Sequence, residues 1–150
     1  MNKTLTQIRE ALEYVLKRLK TTNGYSLDLP DDHIYRVHNA EFYNNTSDDA
    51  YPKAFIYLAD QNYTDSPSRR VERMAYYTIT LVLKELNDGS DLLTRIEHFT
   101  EDLADALDHY KTLGGCAVSA RLTDMSTDQG VNYPEGVAVF TIEVRYHQQR

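Results

Sequence analysis

Tryptophan is absent from this chain, and cysteine occurs once, at Cys116. A single thiol excludes an internal disulfide, and its place in the apolar run Cys116-Ala117-Val118 marks it as a small packing group. No apolar stretch approaches the roughly 20 residues that a membrane-spanning helix requires, so none is expected. The opening residues, Met1 to Thr4, lead into an amphipathic pattern without a signal-like apolar core, and the protein is expected to stay in the compartment where it is made. The tripeptides at Asn44, Asn45 and Asn62 fit the glycosylation pattern, but that chemistry needs secretion, which nothing else supports.

Basic residues are scarce relative to acidic ones. Sixteen Lys and Arg face 23 Asp and Glu, for a net charge of −7, which disfavours capture of nucleic acid by the surface as a whole. Glycines are few, six in all, and neither a dinucleotide-binding G-x-G-x-x-G nor a phosphate-binding P-loop occurs. Gly114-Gly115 follows a helical pattern instead of opening one, which is the wrong polarity for phosphate. There is no G-x-S-x-G nucleophile elbow and no zinc-ligand spacing. These absences lead to the expectation of a non-enzyme with no cofactor and no metal. Twelve tyrosines are present, and a tyrosine suits surfaces where a ring is covered by a partner while its hydroxyl stays wet.

The length, 150 residues, predicts one domain over 1–150 that fills a core without metal or disulfide support. Thr4 and Gln7 form a capping-box pattern, and Ile8, Leu12, Val15, Leu16 and Leu19 recur at helical spacing, which predicts a helix over about 4–20. Thr21-Thr22-Asn23-Gly24 ends it. Strands are predicted at Ile34–Val37, at Ala54–Leu58 after Pro52, and at about 72–85. In the last, Ala75, Tyr77, Ile79, Leu81 and Leu83 share the core face, and Met74, Tyr76, Thr78, Thr80 and Lys84 the other. Polar segments at 39–51 and 60–70 read as long loops.

Ser90 is the expected N-cap of a second helix carried by Leu92, Ile96, Phe99, Leu103, Leu107 and Tyr110. Strands at Cys116–Thr123 and Val137–His147, joined by a turn-rich 124–136, form an expected antiparallel hairpin. Its inner row is Ala138, Phe140, Ile142, Val144 and Tyr146. A simple register places Thr141, Glu143 and Arg145 outward beside Ser119 and Arg121. The order α-β-β-β-α-β-β predicts an α+β fold: one mostly antiparallel sheet of about five strands with both helices on one face. The opposite face is expected to be polar and open to water or a partner.

Two clusters invite a functional reading. His98, Asp102, Asp105 and His109 lie along one flank of the second helix, where a metal-dependent enzyme or metal-binding module would place ligands; the alternative is a solvated edge of His–carboxylate pairs. His33 and His38 have opposite parity about the first strand and form no chelate, and His147 lies in a polar C-terminal stretch. The second helix is also strongly acidic, through Asp91, Glu97, Glu101, Asp102, Asp105 and Asp108, whereas Arg69, Arg70 and Arg73 collect elsewhere. Segregated charge of this kind permits head-to-tail contact between copies, the geometry that closes rings. A ligand-binding role for the tyrosine-bearing sheet face is a further alternative.

The order of elements, the opening helix Ile8–Leu19, the strand introduced by Tyr51-Pro52-Lys53-Ala54-Phe55-Ile56, the strand Met74-Ala75-Tyr76-Tyr77-Thr78-Ile79, the acidic helix Leu92–Leu107 and a closing hairpin ending in Val144-Arg145-Tyr146 together resemble the tail terminator (tail-completion) proteins of long-tailed bacteriophages, the lambda-like U protein group. The resemblance spans nearly the whole chain and rests on pattern and order, not on an invariant motif. The Asn-rich 39–51 stretch has no place in that pattern. The resemblance implies a structural virion protein, made in the host cytoplasm, that forms a homo-oligomeric and hexameric ring at the head-proximal end of the tail. Such a ring caps the tail tube protein, ends its polymerisation, meets the head-completion or neck proteins, and lets DNA through without specific binding. Another neck or minor capsid role is the nearest alternative. On that reading the candidate interface residues are Arg69, Arg70, Arg73, Thr78, Thr80, Arg121, Asp128, Tyr133, Glu143 and Arg145.

Overall fold

A computed structural model of the chain describes residues 4–37, 51–63, 70–84, 89–129, 131 and 134–149. The described elements follow the expected order: α1 (Thr4–Lys17), β1 (Ile34–Arg36), β2 (Lys53–Tyr63), β3 (Arg70–Lys84), α2 (Gly89–His109), β4 (Ser119–Thr127) and β5 (Glu135–Gln149). The strands form one five-stranded sheet in the order β1-β2-β3-β5-β4. Every neighbouring pair is antiparallel except β1 and β2, which run parallel.

Both helices lie on one face, α1 reaching β1 and α2 packing on β4 and β5. The α1 stripe Ile8, Leu12, Val15 and Leu16 is buried, because residues three and four apart stack on one side of a helix. Ala75, Tyr77, Ile79, Leu81 and Leu83 of β3 lie opposite Val144, Ile142, Phe140, Ala138 and Gly136 of β5, and this double row is the floor of the core. Phe99 of α2 meets Phe140 with ring centroids 5.3 Å apart, a tilted contact that adds to simple area burial.

Several boundaries move. β2 runs on to Tyr63, so Asp60 and Gln61, read from sequence as loop, are strand; a bulge at Ala59 breaks the alternation that would have announced it. β4 begins at Ser119 instead of Cys116, because a 3-10 turn over Leu113–Gly115 still occupies the chain there. Gly114 takes φ 72°, and a Cβ on it would sit 2.6 Å from Tyr110 Oη, so any larger residue there would be strained and would have to displace that ring. β4 and β5 also extend to Thr127 and from Glu135, a longer hairpin than the apolar pattern marked.

The face away from the helices departs further from expectation. Phe55 and Val82 are fully buried there, and Lys53, Thr78 and Thr80 are nearly so. Tyr35 of β1 stacks on Phe55 at 5.3 Å. The Lys53 ammonium lies 4.6 Å from the centre of the Tyr51 ring, whose hydroxyl donates to Glu135 at 2.6 Å. Among the described residues the sheet is therefore covered on both sides over β2 and β3 at this end, and its far face is open at the other.

Candidate functional site

The open end of the far face carries charged side chains from three adjacent strands. Arg121 of β4 lies opposite Glu143 of β5, with Nη2 3.2 Å from Oε1, and Arg145 of β5 pairs with Glu72 of β3. Ser119 is opposite Arg145, as the simple hairpin register predicts. The sequence placed Arg121, Glu143 and Arg145 on one surface and the structure brings them together; it adds Glu72, which nothing local in the sequence marks.

Other candidates fall elsewhere. Thr78 and Thr80 point to the far face as read, but they are 6% and 2% exposed, so the chain itself covers them. Arg73 is half-buried within β3, on the side of Tyr146, and Arg70 is the first residue of that strand. Arg70, read from sequence as the end of the 60–70 loop, is thus strand, and Arg73 lies in the strand expected at about 72–85. Asp128 closes the β4–β5 connection through its backbone, its N–H donating to Val137 O and its carbonyl accepting from Val131. Arg69, Tyr133 and His38 lie outside the described residues.

The His–Asp flank of α2 has a packing role. Asp102 accepts from the Ser26 N–H at 2.9 Å, and Asp105 accepts from the Tyr25 hydroxyl at 3.2 Å, so two of its carboxylates pin the segment after α1 onto α2. Partial burial, and then the bond to Asp105, push the Tyr25 hydroxyl pKa up. His109 Nδ1 lies 2.9 Å from the Asp105 carbonyl, which raises its pKa, with the Asp105 carboxylate adding to the effect. Among the described residues no group of three His, Cys, Asp or Glu side chains is arranged to hold a metal ion. His33 Nδ1 is 3.0 Å from Pro52 O, joining the first strand to the second. The Cys116 thiol donates to Leu113 O at 3.0 Å, and burial pushes its pKa up, opposite to the activation that a nucleophile needs.

A second surface lies where α1 meets the β2 margin. Leu5, Thr6, Arg9, Arg36, Leu58 and Tyr77 line a groove of about 570 Å³. Glu13, 6% exposed, takes hydrogen bonds from the two arginines of the groove, Arg9 at 3.1 Å and Arg36 at 2.8 Å. Bonding to Glu13 raises the Arg36 pKa, and the Glu10 carboxylate adds to the effect; two guanidiniums, Arg9 and Arg36, stand in the groove wall. Tyr77 donates its hydroxyl to Leu5 O at 3.0 Å; burial, with a smaller contribution from Tyr146, pushes its pKa up to about 12.

No protein-family model matches the chain. No curated protein matches it either. Among solved structures, it is similar to a chain of the virion of a native gene transfer agent particle, over 97% of this chain and 92% of that one, at 8% identity and a TM-score of 0.48. Similarity at that level assigns neither a family nor a function.

Sequence reasoning missed the groove because its parts are far apart in the chain. Arg9 and Glu13 show as an i, i+4 pair, but Arg36 is 23 residues from Glu13. The parallel pairing of β1 with β2, which brings Arg36 beneath α1, has no local sequence signature.

Proposed function

We propose that this chain is a non-catalytic structural protein of a phage-like virion, a subunit of a homo-oligomeric ring that caps the tail tube and joins it to the neck. The observation that carries the reading is that the two margins of the sheet differ. One margin is β4, a nine-residue strand; the other is β2, which the three-residue β1 covers only as far as Ile56. Unlike margins on opposite sides favour head-to-tail contact between copies, and such contact closes a ring when the rotation is right.

Three further features fit the role. The core is complete within one chain, so a subunit folds before it assembles. The Arg121–Glu143 and Arg145–Glu72 pairs form a polar surface on the far face of β3, β5 and β4, available to a tube or neck protein. A net charge of −7 lets DNA pass a lumen without being held by its phosphates. The resemblance of element order to tail terminators supplies the hexamer, the tube end and the neck as partners.

Electron microscopy of the purified protein, alone and with tail tubes, tests the proposal. Closed rings and tubes capped at one end are expected. A monomer at every concentration with no tube binding overturns it.

A further inference from the structure

β2 and β4 run in opposite directions, since β2 is antiparallel to β3, β3 to β5, and β5 to β4. A rotation about an axis along the strands therefore brings β4 of one copy antiparallel to β2 of the next, with the helices of both on the same side. Each margin strand carries one bulge, at Ala59 and at Thr123, a feature that blunts indiscriminate edge pairing. Specific pairing must then come from side chains, and the side chains on the two margins match.

Leu58 lies opposite Tyr77, and Met125 opposite Phe140, so both point to the helix side of the sheet. They are 41% and 37% exposed, among the few large apolar side chains of the described residues that the fold leaves in water. α2 repeats the arrangement one layer up. Its Asp102, Asp105 and His109 flank faces α1, as the bonds to Tyr25 and Ser26 require. At about 100° per residue, Leu93, Glu97 and Ala104 fall on the opposite flank, towards the β4 margin. Leu93 is 59% exposed. The facing wall on a neighbour is the groove beside α1, which Leu58 and the guanidiniums of Arg9 and Arg36 line.

We infer that the β4 margin of one copy docks on the Tyr57–Asp60 edge of β2 in a second copy. Met125 packs beside Leu58, and the Leu93–Glu97 flank of α2 enters the Arg9–Arg36 groove. The occupant is a second copy of this chain because these two unlike margins set apolar Met125 against apolar Leu58 and acidic Glu97 against Arg9 and Arg36. The inference rests on the ring proposal and specifies its subunit contact.

Complementary charge variants test it by mass in solution. Leu58→Lys and Met125→Glu each alter an exposed side chain, and unchanged circular dichroism confirms that both fold. Each alone is expected to raise the concentration for half-assembly by about tenfold or more. An equimolar mixture is expected to restore assembly, because junctions that set the new ammonium against the new carboxylate then alternate with native ones. Amide exchange in Tyr57–Asp60 and Ser119–Thr127 of the wild-type protein should slow on assembly. Single variants that assemble like wild type, a mixture that does not recover, or unchanged exchange in both margins overturns this contact while leaving a ring built by other surfaces. A wild-type protein that stays monomeric overturns both. Rings that form through these margins but ignore tail tubes uphold the contact and count against the tail role alone.

Discussion

Glu13 takes the Arg36 Nε–H on both of its carboxylate oxygens, at 2.8 and 3.1 Å, and so ties the first strand of the sheet to the first helix. Arg9 holds the same carboxylate from one helical turn away. β1 has only three residues, and beside its pairing with β2 this nearly buried side chain is what ties it to α1.

Glu13→Ala is therefore expected to leave two guanidiniums facing each other around an empty site. Arg36 is largely exposed, with 59% of its side chain accessible, and solvent screening limits the cost to about 1–2 kcal/mol. Chemical denaturation measures that loss, and amide exchange should place the earliest loosening in β1. Equal protection of β1 in variant and wild type would remove the tethering role.

Thr80→Val should stabilise the protein. Thr80 Oγ1 is buried on the far face and has no hydrogen-bond partner among the described residues, so replacing it with a methyl group of the same shape removes a desolvation cost of about 1 kcal/mol. A melting temperature higher by about 2–4 °C is the expected reading. A lower one would mean that the hydroxyl is satisfied.

Phe99→Ala is the sharpest test of the core. Phe99 is fully buried against Phe140, and removing its ring should cost about 3–5 kcal/mol through lost burial and the cavity left behind. Leu93→Ala on the same helix, at 59% exposure, should change the stability of the monomer by less than about 0.5 kcal/mol. Urea midpoints of the two variants, compared below the assembly concentration, check both.

Tyr77 predicts how stability responds to alkali. Its pKa rises from 10.0 to about 12 on folding, so the unfolded chain loses the proton first as pH increases. The stabilisation is complete below about pH 10, declines between 10 and 12, and is gone above that. In Tyr77→Phe this decline should be shallower, with a constant loss of about 1 kcal/mol below pH 10 from the missing bond to Leu5 O. Denaturation midpoints across that range check the slope.

Much of the architecture was legible before any coordinates. The stripes Ile8, Leu12, Val15, Leu16 and Leu92, Ile96, Phe99, Leu103 gave both helices, since burial on one side of a helix repeats every three or four residues. Alternation in 75–83 and 138–146 gave the two central strands and their inner faces. Alternation also located Arg121, Glu143 and Arg145 on one surface. It failed at Asp60 and Gln61, where a bulge shifts the phase and polar side chains lie in a strand near the sheet margin. It failed again at Thr78 and Thr80, whose polarity suggested exposure although Phe55, Tyr35 and Tyr51 help to close that end of the far face.

What the sequence by itself determined is the class of the molecule: two amphipathic helices over one face of a mostly antiparallel sheet. Those properties follow from periodicity, which is local. Tertiary structure alone decided that β1 runs parallel to β2, that Glu13 bridges Arg9 and Arg36, that Asp102 and Asp105 serve the Tyr25–Ser26 segment, and that Leu58 and Met125 stand exposed on opposite margins. Each of these joins residues through strand order and direction, and strand order is set by which faces bury the most apolar surface together, a property of the whole chain.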